Sequence, residues 1–452
     1  MKSKPKVYVL SQAEEEELRK RMNESETEQM NVEKEEHVEK GSNIDDEFDL
    51  DTYDDDSGVA DVFLNNSSKA DDDIGAMEIE TEDMEDLCIQ DEDNVMIVAK
   101  AEEETSGLEI HIYNGDTGDF FVHHDIPLSS FPLCVEWLDC PSRTSASNDV
   151  GSFAAVGTFR PIIEIWDLDI LNAMEPHATL GSEDGIEVNS QAHSDAVLSL
   201  NWNSEQRNLV ASASADASVK VWDISKQSCA LTLRHHKDKV GCVKWNLAES
   251  SVLATGSSDK SLCVVDVKSP SKGIRIPLGA SSGEVESIAW NPFSPPLLLV
   301  STDTGRLSCY DIRKIGSGTA LSLFTVQAHE EAISSVSFSP LLNGLLATAS
   351  ADQTVKLWDV QGNKPSMLAS KNMGVGPLFS VAFNPNSSYL LFCGGQEGKI
   401  AIWETEENAG IERRFCGRDS VPAGDMTTTT TTTTTTTKKK KSKKRKGKKK
   451  RK

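Results

Sequence analysis

Short runs of alternating hydrophobic and polar residues dominate the chain between Val95 and about Cys416. The stretches LEIHIYN, VLSLNW, LCVVDV and ISSVSF place apolar side chains at every second position, and clusters of Gly, Asp, Asn, Ser and Pro separate such runs. Alternation with a period of two is typical of half-buried strands of about five residues. The pattern therefore predicts an all-β domain made of many short strands.

The strand pattern repeats along the chain. The segment SASADASVKVWDIS (Ser212–Ser225) returns 136 residues later as TASADQTVKLWDVQ (Thr348–Gln361), a distance close to three periods of 45 residues. Two series of residues, each at the end of a predicted strand, follow this period. The second series has one additional member, Tyr113, a repeat before the others, and the series therefore predicts seven units. The first series is Trp137, Trp202, Trp245, Trp290, Phe338 and Phe383, and the second continues with Trp166, Trp222, Val265, Tyr310, Trp358 and Trp403. The units lie near 94–125, 131–185, 193–233, 236–278, 284–326, 329–370 and 378–415.

Three units share polar residues at fixed spacing. Each has a His 23 residues before an Asp and a hydroxyl four residues before that Asp, and two units add a Trp six residues after it. The sets are His193, Ser212, Asp216 and Trp222; His236, Thr255 and Asp259; and His329, Thr348, Asp352 and Trp358. A hydrolase needs a Ser–His–Asp triad once, with an exposed nucleophile. The recurrence instead predicts a structural chain of hydrogen bonds from Asp to His to hydroxyl to Trp, and we expect no enzyme.

These sets resemble the WD40 repeat, whose Trp-Asp pair stands here at 166–167, 222–223 and 358–359. The resemblance implies a seven-bladed β-propeller with four-stranded blades, which we expect over residues 94–416. The motif weakens in unit two, which has Arg160-Pro161 in the Asp region, in unit five, which lacks the His, and in unit seven, which has Glu397 for Asp. Seven units together should form one cooperative domain, because a single blade cannot bury both of its faces.

The order of features narrows the resemblance. An acidic arm, then DNVMIVAKAEEETSGLEIHIYN and FFVHHDIPLSSFPLCVEWLDC, a divergent Trp-bearing propeller and a lysine-rich end are similar to the periodic tryptophan protein 1 family. The resemblance implies a nuclear, largely nucleolar scaffold in ribosome biogenesis or ribosomal RNA gene transcription, binding pre-ribosomal or chromatin proteins. Family members usually open with a short apolar, Trp-bearing segment, whereas this chain begins MKSKPKVYVLSQAEEEE.

An alternative reading is a substrate receptor of a cullin-type ubiquitin ligase, or a histone-binding chromatin propeller. The stretch LLLVSTDTGRLSCYDIR resembles the Asp-x-Arg ending of such receptors, with Asp311 and Arg313 as the candidate contact to the ligase adaptor.

Charge is concentrated at the two ends of a chain whose formal net charge is −26. Residues 1–93 contain 32 Asp and Glu against 9 Lys and Arg, too polar to offset the entropy of ordering, so we expect a largely disordered arm. A short helix is predicted near 11–22, with Ser11 as its cap. A Thr-rich linker, 417–437, precedes the tail 438–452. The tail's cations predict a nuclear import signal and RNA-phosphate contacts, and they are Lys438, Lys439, Lys440, Lys441, Lys443, Lys444, Arg445, Lys446, Lys448, Lys449, Lys450, Arg451 and Lys452.

The remaining chemistry-bearing residues predict no cofactor and no metal. The nine Cys form no CxxC pair, and no GxxxxGK[ST] loop for a nucleotide occurs. His123 and His124 are neighbours in a predicted strand, where adjacent side chains point to opposite faces, so we expect no metal pair there. No apolar run approaches the ~20 residues of a membrane span, and no signal-peptide core is apparent, so we expect a soluble intracellular protein with no membrane or small-molecule partner.

Overall fold

The computed structural model describes residues 88–90, 92–102, 105–139, 151–171, 173–182, 192–279, 281–317 and 322–415. The predicted helix near 11–22, nearly all of the acidic arm, the linker 417–437 and the tail 438–452 lie outside this part of the chain. No helix in the described ranges is both long enough and apolar enough to cross a membrane.

The prediction of an all-β, seven-bladed β-propeller is confirmed, because the described strands form seven sheets, five of four strands and two of three. The first sheet has β1 (Asp93–Ala101), β2 (Ser106–Asn114) and β3 (Phe120–Pro127). The second has β4 (Pro132–Leu138), β5 (Phe153–Thr158), β6 (Ile163–Asp167) and β7 (Ala178–Leu180). The third has β8 (Val197–Trp202), β9 (Leu209–Ser214), β10 (Val219–Asp223) and β11 (Ser228–Leu233).

The other four sheets follow in chain order. The fourth has β12 (Val240–Trp245), β13 (Val252–Ser257), β14 (Ser261–Asp266) and β15 (Ile274–Pro277), and the fifth has β16 (Val285–Trp290), β17 (Leu297–Thr302), β18 (Arg306–Asp311) and β19 (Phe324–Gln327). The sixth has β20 (Ser335–Phe338), β21 (Leu345–Ala349), β22 (Thr354–Asp359) and β23 (Ser366–Asn372). The seventh has β24 (Leu378–Phe383), β25 (Leu390–Gly395) and β26 (Ile400–Glu404), and helix α1 (Ala409–Phe415) follows it. Short 3-10 turns lie at Pro270–Lys272, Ile312–Ser317, Gln361–Asn363 and Thr405–Glu407.

The chain divides into two compact units, residues 1–202 with 223–229 and residues 203–222 with 230–452. In the first unit, apolar residues of the first two sheets form one core that includes Leu108, Ile126 and Trp166. In the second unit each core is shared by consecutive sheets, as where Leu262 and Ile276 of the fourth sheet pack with Ile288 and Trp290 of the fifth. A core shared between neighbouring repeats explains why one repeat alone has too little apolar contact to fold.

Burial within a sheet follows strand position. The second strands are apolar on both faces, and β5 and β21 are buried at every residue. The fourth strand alternates, and in β19 half-buried positions take turns with exposed ones. A strand covered on both sides reads as a continuous apolar run, whereas one with a solvent face alternates.

A bulge recurs near the start of the first strand in four sheets. Opposite the bulge stands a small residue, namely Gly157, Gly256, Ser301 or Gly394. A Cβ on Gly256 would lie 2.6 Å from the Cys242 sulfur and would overlap Val285 of the next sheet. The absence of a side chain at Gly256 therefore lets the fourth and fifth sheets approach closely at this level.

Candidate functional site

The polar set of the sixth sheet is assembled by four elements. His329 precedes β20, Thr348 lies in β21, Asp352 in the following turn, and Trp358 in β22. The Asp352 carboxylate lies 2.9 Å from His329 Nδ1, and His329 Nε2 lies 2.7 Å from Thr348 Oγ1. The Trp358 indole donates to the same hydroxyl at 3.0 Å. The structure thus brings His329, Asp352, Thr348 and Trp358 into one continuous chain of hydrogen bonds.

Burial and hydrogen bonding together determine the protonation of this set. Burial lowers the pKa of His329 despite the Asp352 carboxylate, so the imidazole is neutral at pH 7. Burial opposes the ionisation of Asp352, but hydrogen bonds from Thr354 and His329 outweigh it and hold its pKa below the usual value. Asp352 accepts a hydrogen bond from Nδ1–H, so the proton of the neutral imidazole is on Nδ1. Nε2 of His329 is therefore unprotonated and accepts a hydrogen bond from the Thr348 hydroxyl. Thr348 has no exposed surface. A catalytic nucleophile must be accessible to its substrate, so Thr348 cannot act as one.

Truncating Asp352 should measure what this set contributes to stability. We expect Asp352→Ala to lower the free energy of unfolding by about 1–3 kcal/mol, because the buried His329 Nδ1–H loses its acceptor. Denaturant unfolding of the full chain measures the change. Glu330→Ala is the matched control, since it removes an exposed carboxylate beside His329. Equal stability of the two variants would show that the set has no energetic role.

The set of the fourth sheet has a different composition. His236 Nδ1 lies 3.3 Å from the Asp259 carboxylate, and His236 Nε2 lies 2.9 Å from Thr255 Oγ1. Val265 stands where the sixth sheet has Trp358, so no indole reaches the hydroxyl here. His235 Nε2 lies 2.9 Å from the same oxygen and takes the place of the missing donor. The spacing of the repeat could not indicate His235, because no other unit uses that position.

The set of the third sheet is divided between the two compact units, with His193 in the first and Asp216 and Trp222 in the second. His193 is buried. Within the second unit Trp222 Nε1 donates to Ser212 Oγ at 2.8 Å, the contact that Trp358 makes to Thr348. Asp216 accepts hydrogen bonds from the backbone and hydroxyl of Ser218.

In the second sheet a buried glutamate accepts from the Trp indole, the role that Ser212 and Thr348 have in the third and sixth sheets. Glu164 of β6 accepts from the Trp166 indole at 3.1 Å and from Ser129 at 3.2 Å. The Arg160 guanidinium lies 3.8 Å from the same carboxylate and donates to Ser129. A cavity of about 450 Å³ opens beside this group, lined by Ser129, Arg160, Ile162, Glu164, Pro176, Thr179, Gly181 and Ser182. Sequence reasoning missed Glu164, because it lies two residues before the Trp, whereas the hydroxyls that accept from Trp222 and Trp358 lie ten residues before them.

The expectation that His123 and His124 point to opposite faces is wrong. The register between β2 and β3 shifts at this point, since His124 pairs with Ile110 and Val122 with His111, which leaves His123 as an extra residue. Such a bulge re-aims side chains, and the two Nδ1 atoms lie 2.7 Å apart. Burial lowers the pKa of His124 to about 4.

The two candidate residues for a ligase adaptor contact each other. The Arg313 guanidinium donates twice to the Asp311 carboxylate, at 3.0 and 2.9 Å. The Asp311 side chain is buried at the end of β18, whereas that of Arg313 is 68% exposed. The pair therefore presents at the surface a guanidinium group whose orientation is fixed by its two hydrogen bonds to Asp311. The thirteen cations of the tail, from Lys438 to Lys452, lie outside the described residues.

A second recurrent polar residue escaped the sequence reasoning. An Asn follows the aromatic end of the first strand at Asn203, Asn246, Asn291 and Asn384, and its side-chain oxygen accepts backbone N–H groups two and three residues on. The Nδ2 atom of Asn203 donates to the carbonyl of Ser250, and that of Asn246 to the carbonyl of Pro295, each in a turn of the next sheet. The signal was visible as Trp-Asn or Phe-Asn at the period of the repeat.

Comparison with known proteins agrees with the fold. The family of the WD domain, G-beta repeat, matches residues 186–223, 227–266, 321–359 and 373–404. A WD repeat-containing protein of Schizosaccharomyces pombe is 39% identical over 83% of this chain and 77% of its own length. The periodic tryptophan protein 1 homolog of Drosophila melanogaster is 29% identical over 82% of this chain and 80% of its own.

A solved structure has the same fold. A chain in the crystal structure of the mitotic checkpoint complex superposes with a TM-score of 0.52 at 17% identity, over 71% of this chain and 84% of that one. The predicted resemblance to WD40 proteins and to the periodic tryptophan protein 1 family is confirmed.

Proposed function

Because the chain belongs to the WD-repeat family, we propose that it is a non-catalytic scaffold for proteins in nucleolar ribosome biogenesis or ribosomal RNA gene transcription. The observation that carries this proposal is the similarity to the periodic tryptophan protein 1 homolog, which extends over four fifths of both chains. The ribosomal role comes from the resemblance to that family.

The geometry supports a binding role over a catalytic one. The hydroxyls at the candidate triads, Ser212, Thr255 and Thr348, have no exposed surface and are hydrogen-bonded within their own sheets. The surface instead displays aromatic side chains. Phe131 and Phe159 flank β4 and β5 with ring centroids 5.5 Å apart, and Phe159 is 61% exposed beside Arg160. Paired aromatics next to an Arg are typical of protein interfaces.

The charged ends add to this proposal. Thirteen cations in residues 438–452 suit an import receptor and the phosphates of RNA, which supports the proposal of a nuclear and nucleolar protein. The acidic arm, residues 1–93, suits basic partners such as pre-ribosomal or chromatin proteins. Both ends would act through long-range attraction, which salt weakens.

Affinity purification of the tagged full chain, with and without nuclease, tests the proposal. We expect pre-ribosomal proteins in both samples and nucleolar accumulation in cells. Deletion of 438–452 should reduce nuclear accumulation and the salt-sensitive part of RNA binding, since each released counterion steepens the salt dependence. Phe159→Ser should reduce recovery of the partners, and Phe379→Ser, at a Phe of similar exposure on β24, is its control.

Two results would overturn this function. Recovery of a cullin-ligase adaptor in place of pre-ribosomal proteins, with loss of the adaptor from Arg313→Ala, would favour the receptor reading. Unchanged nucleolar accumulation and RNA affinity after deletion of 438–452 would remove the tail from the mechanism.

A further inference from the structure

Three metal-binding side chains converge in the fourth sheet. His235 and His236 lie between β11 and β12, and Cys263 lies in β14. One potential ligand atom from each residue lies within 4.8 Å of the other two. Tetrahedral zinc, with Zn–N near 2.1 Å and Zn–S near 2.3 Å, places such atoms about 3.6 Å apart. The 4.8 Å limit exceeds this spacing by about 1 Å, so the three side chains must draw together slightly to bind an ion. We call these residues the His–His–Cys cluster.

The surroundings of His236 match those of a metal-binding histidine. Its Nδ1 atom lies 3.3 Å from the Asp259 carboxylate, which leaves the Nε2 lone pair directed towards Thr255. A carboxylate on the other ring nitrogen is the usual second partner of a zinc-bound His, because it orients the ring and raises its basicity. Arg275 and Ser261 hold Asp259 in place.

The sixth sheet has the same framework without the cluster. His329, Thr348 and Asp352 correspond to His236, Thr255 and Asp259, with equal spacing. The positions of His235, Cys263 and Val265 are occupied there by Ala328, Lys356 and Trp358, in that order. The fourth sheet thus differs from the sixth in having two additional metal-binding side chains. It also lacks the indole that donates a hydrogen bond to the hydroxyl in the sixth sheet. His235 replaces the indole as a partner of the hydroxyl, but the hydrogen-bond framework does not require a Cys at position 263.

The charge states are compatible with a metal ion. Burial lowers the pKa of His235 to about 4 and also lowers that of His236, so both imidazoles are neutral near pH 7. Burial raises the pKa of the Cys263 thiol to about 12. A metal must therefore displace the thiol proton, as zinc does on binding cysteine. His235 is only partly buried, whereas His236 and Cys263 are buried, so His235 is the most accessible member of the cluster.

We propose that the His–His–Cys cluster binds one Zn²⁺ ion through two imidazole nitrogens and the Cys263 thiolate. Zinc fits because mixed nitrogen and sulfur donors select it over the harder Mg²⁺ and Ca²⁺. The Thr255 hydroxyl, 2.9 Å from both Nε2 atoms, or a water molecule supplies the fourth position. The ion would fasten the segment before β12 to β14. This site does not depend on the proposed scaffold function.

Titration of the reduced full chain with Co²⁺, a spectroscopic substitute for zinc, tests the site. We expect one equivalent to give a thiolate-to-cobalt charge-transfer band that Zn²⁺ abolishes. Cys263→Ser and His235→Ala should lose the band, whereas Cys309→Ser, at an equally buried thiol of β18, should retain it. Zinc should raise the melting temperature of the unaltered chain and of Cys309→Ser, but not that of Cys263→Ser.

A second pair of variants guards against loss of folding. Asp259→Asn leaves all three ligands in place but removes the carboxylate that is hydrogen-bonded to His236. We expect it to weaken metal binding by about 10- to 100-fold, as is typical when a metal-bound His loses such a carboxylate. Asp352→Asn, the same change in the sixth sheet, should leave the affinity unaltered. No charge-transfer band in the full chain, a band that survives in Cys263→Ser, or equal effects of the two Asn variants would each overturn the proposal.

Discussion

Replacing Gly305 with Ala should lower the free energy of unfolding by about 2–5 kcal/mol. Gly305, in the turn between β17 and β18, has a φ of +73°, where an L-residue costs about 1–2 kcal/mol. A Cβ there would also overlap the carbonyl oxygen of His329 and lie 2.7 Å from that of Glu331. Backbone atoms cannot rotate away, so the turn must shift, which costs about 1–3 kcal/mol more. Denaturant unfolding of the full chain measures the change.

Gly362 provides the control for this substitution. Its φ is +68°, nearly that of Gly305, but nothing lies within 4 Å of a Cβ built on it. Gly362→Ala should therefore cost only the conformational strain, about 1–2 kcal/mol. The difference between the two variants isolates the contact with the segment that carries His329. Equal losses would show that this close approach does not constrain the turn.

Removing the carboxylate of Glu164 should destabilise the protein by about 2–4 kcal/mol. Glu164→Ala leaves the buried Trp166 indole without its acceptor and takes the partner from Arg160 and Ser129. Lost hydrogen bonds to a charged, buried group are the costly kind, while the part-exposed Arg160 regains water and limits the loss. Thermal and denaturant unfolding both report this change.

Two substitutions separate the contributions at this site. Glu164→Gln retains an oxygen for the Trp166 indole and should cost about 1 kcal/mol, since only the charge is lost. Glu397→Ala removes an exposed carboxylate paired with Lys399 and should stay within about 0.5 kcal/mol of the unaltered chain. A Glu164→Ala variant as stable as Glu397→Ala would contradict the assignment of Glu164 as the acceptor that holds the Trp166 indole.

The fold was predictable from the sequence because strand periodicity and repeat spacing both follow the chain. Period-two runs located the strands, and the matching segments at Ser212 and Thr348 gave the repeat length. The resemblance to WD40 repeats then supplied the architecture. Residues that keep their spacing, such as Asp352 and Trp358, were identifiable by counting alone.

The rest of the candidate site depends on substitutions that counting cannot detect. Glu164 of β6 accepts from the Trp indole, as a hydroxyl of the second strand does in the third and sixth sheets. His235 provides an N–H that other repeats take from a Trp. In both cases a different position supplies the same hydrogen bond, so no repeated letter marks it. His123 and His124 meet only because a bulge breaks the alternation on which the prediction relied.

The Asn residues that reach into the next sheet restrict where this chain can change length. Asn203 binds the carbonyl of Ser250, and Asn246 binds that of Pro295, so the turns between β12 and β13 and between β16 and β17 are held from outside. Ser339 makes the equivalent contact to Ser388, between β24 and β25. An inserted residue would displace the carbonyl from its donor, although surface turns usually accept insertions. Among homologues of this protein, insertions should therefore be rare in these three turns. They should be more frequent in turns that accept no hydrogen bond from a neighbouring sheet.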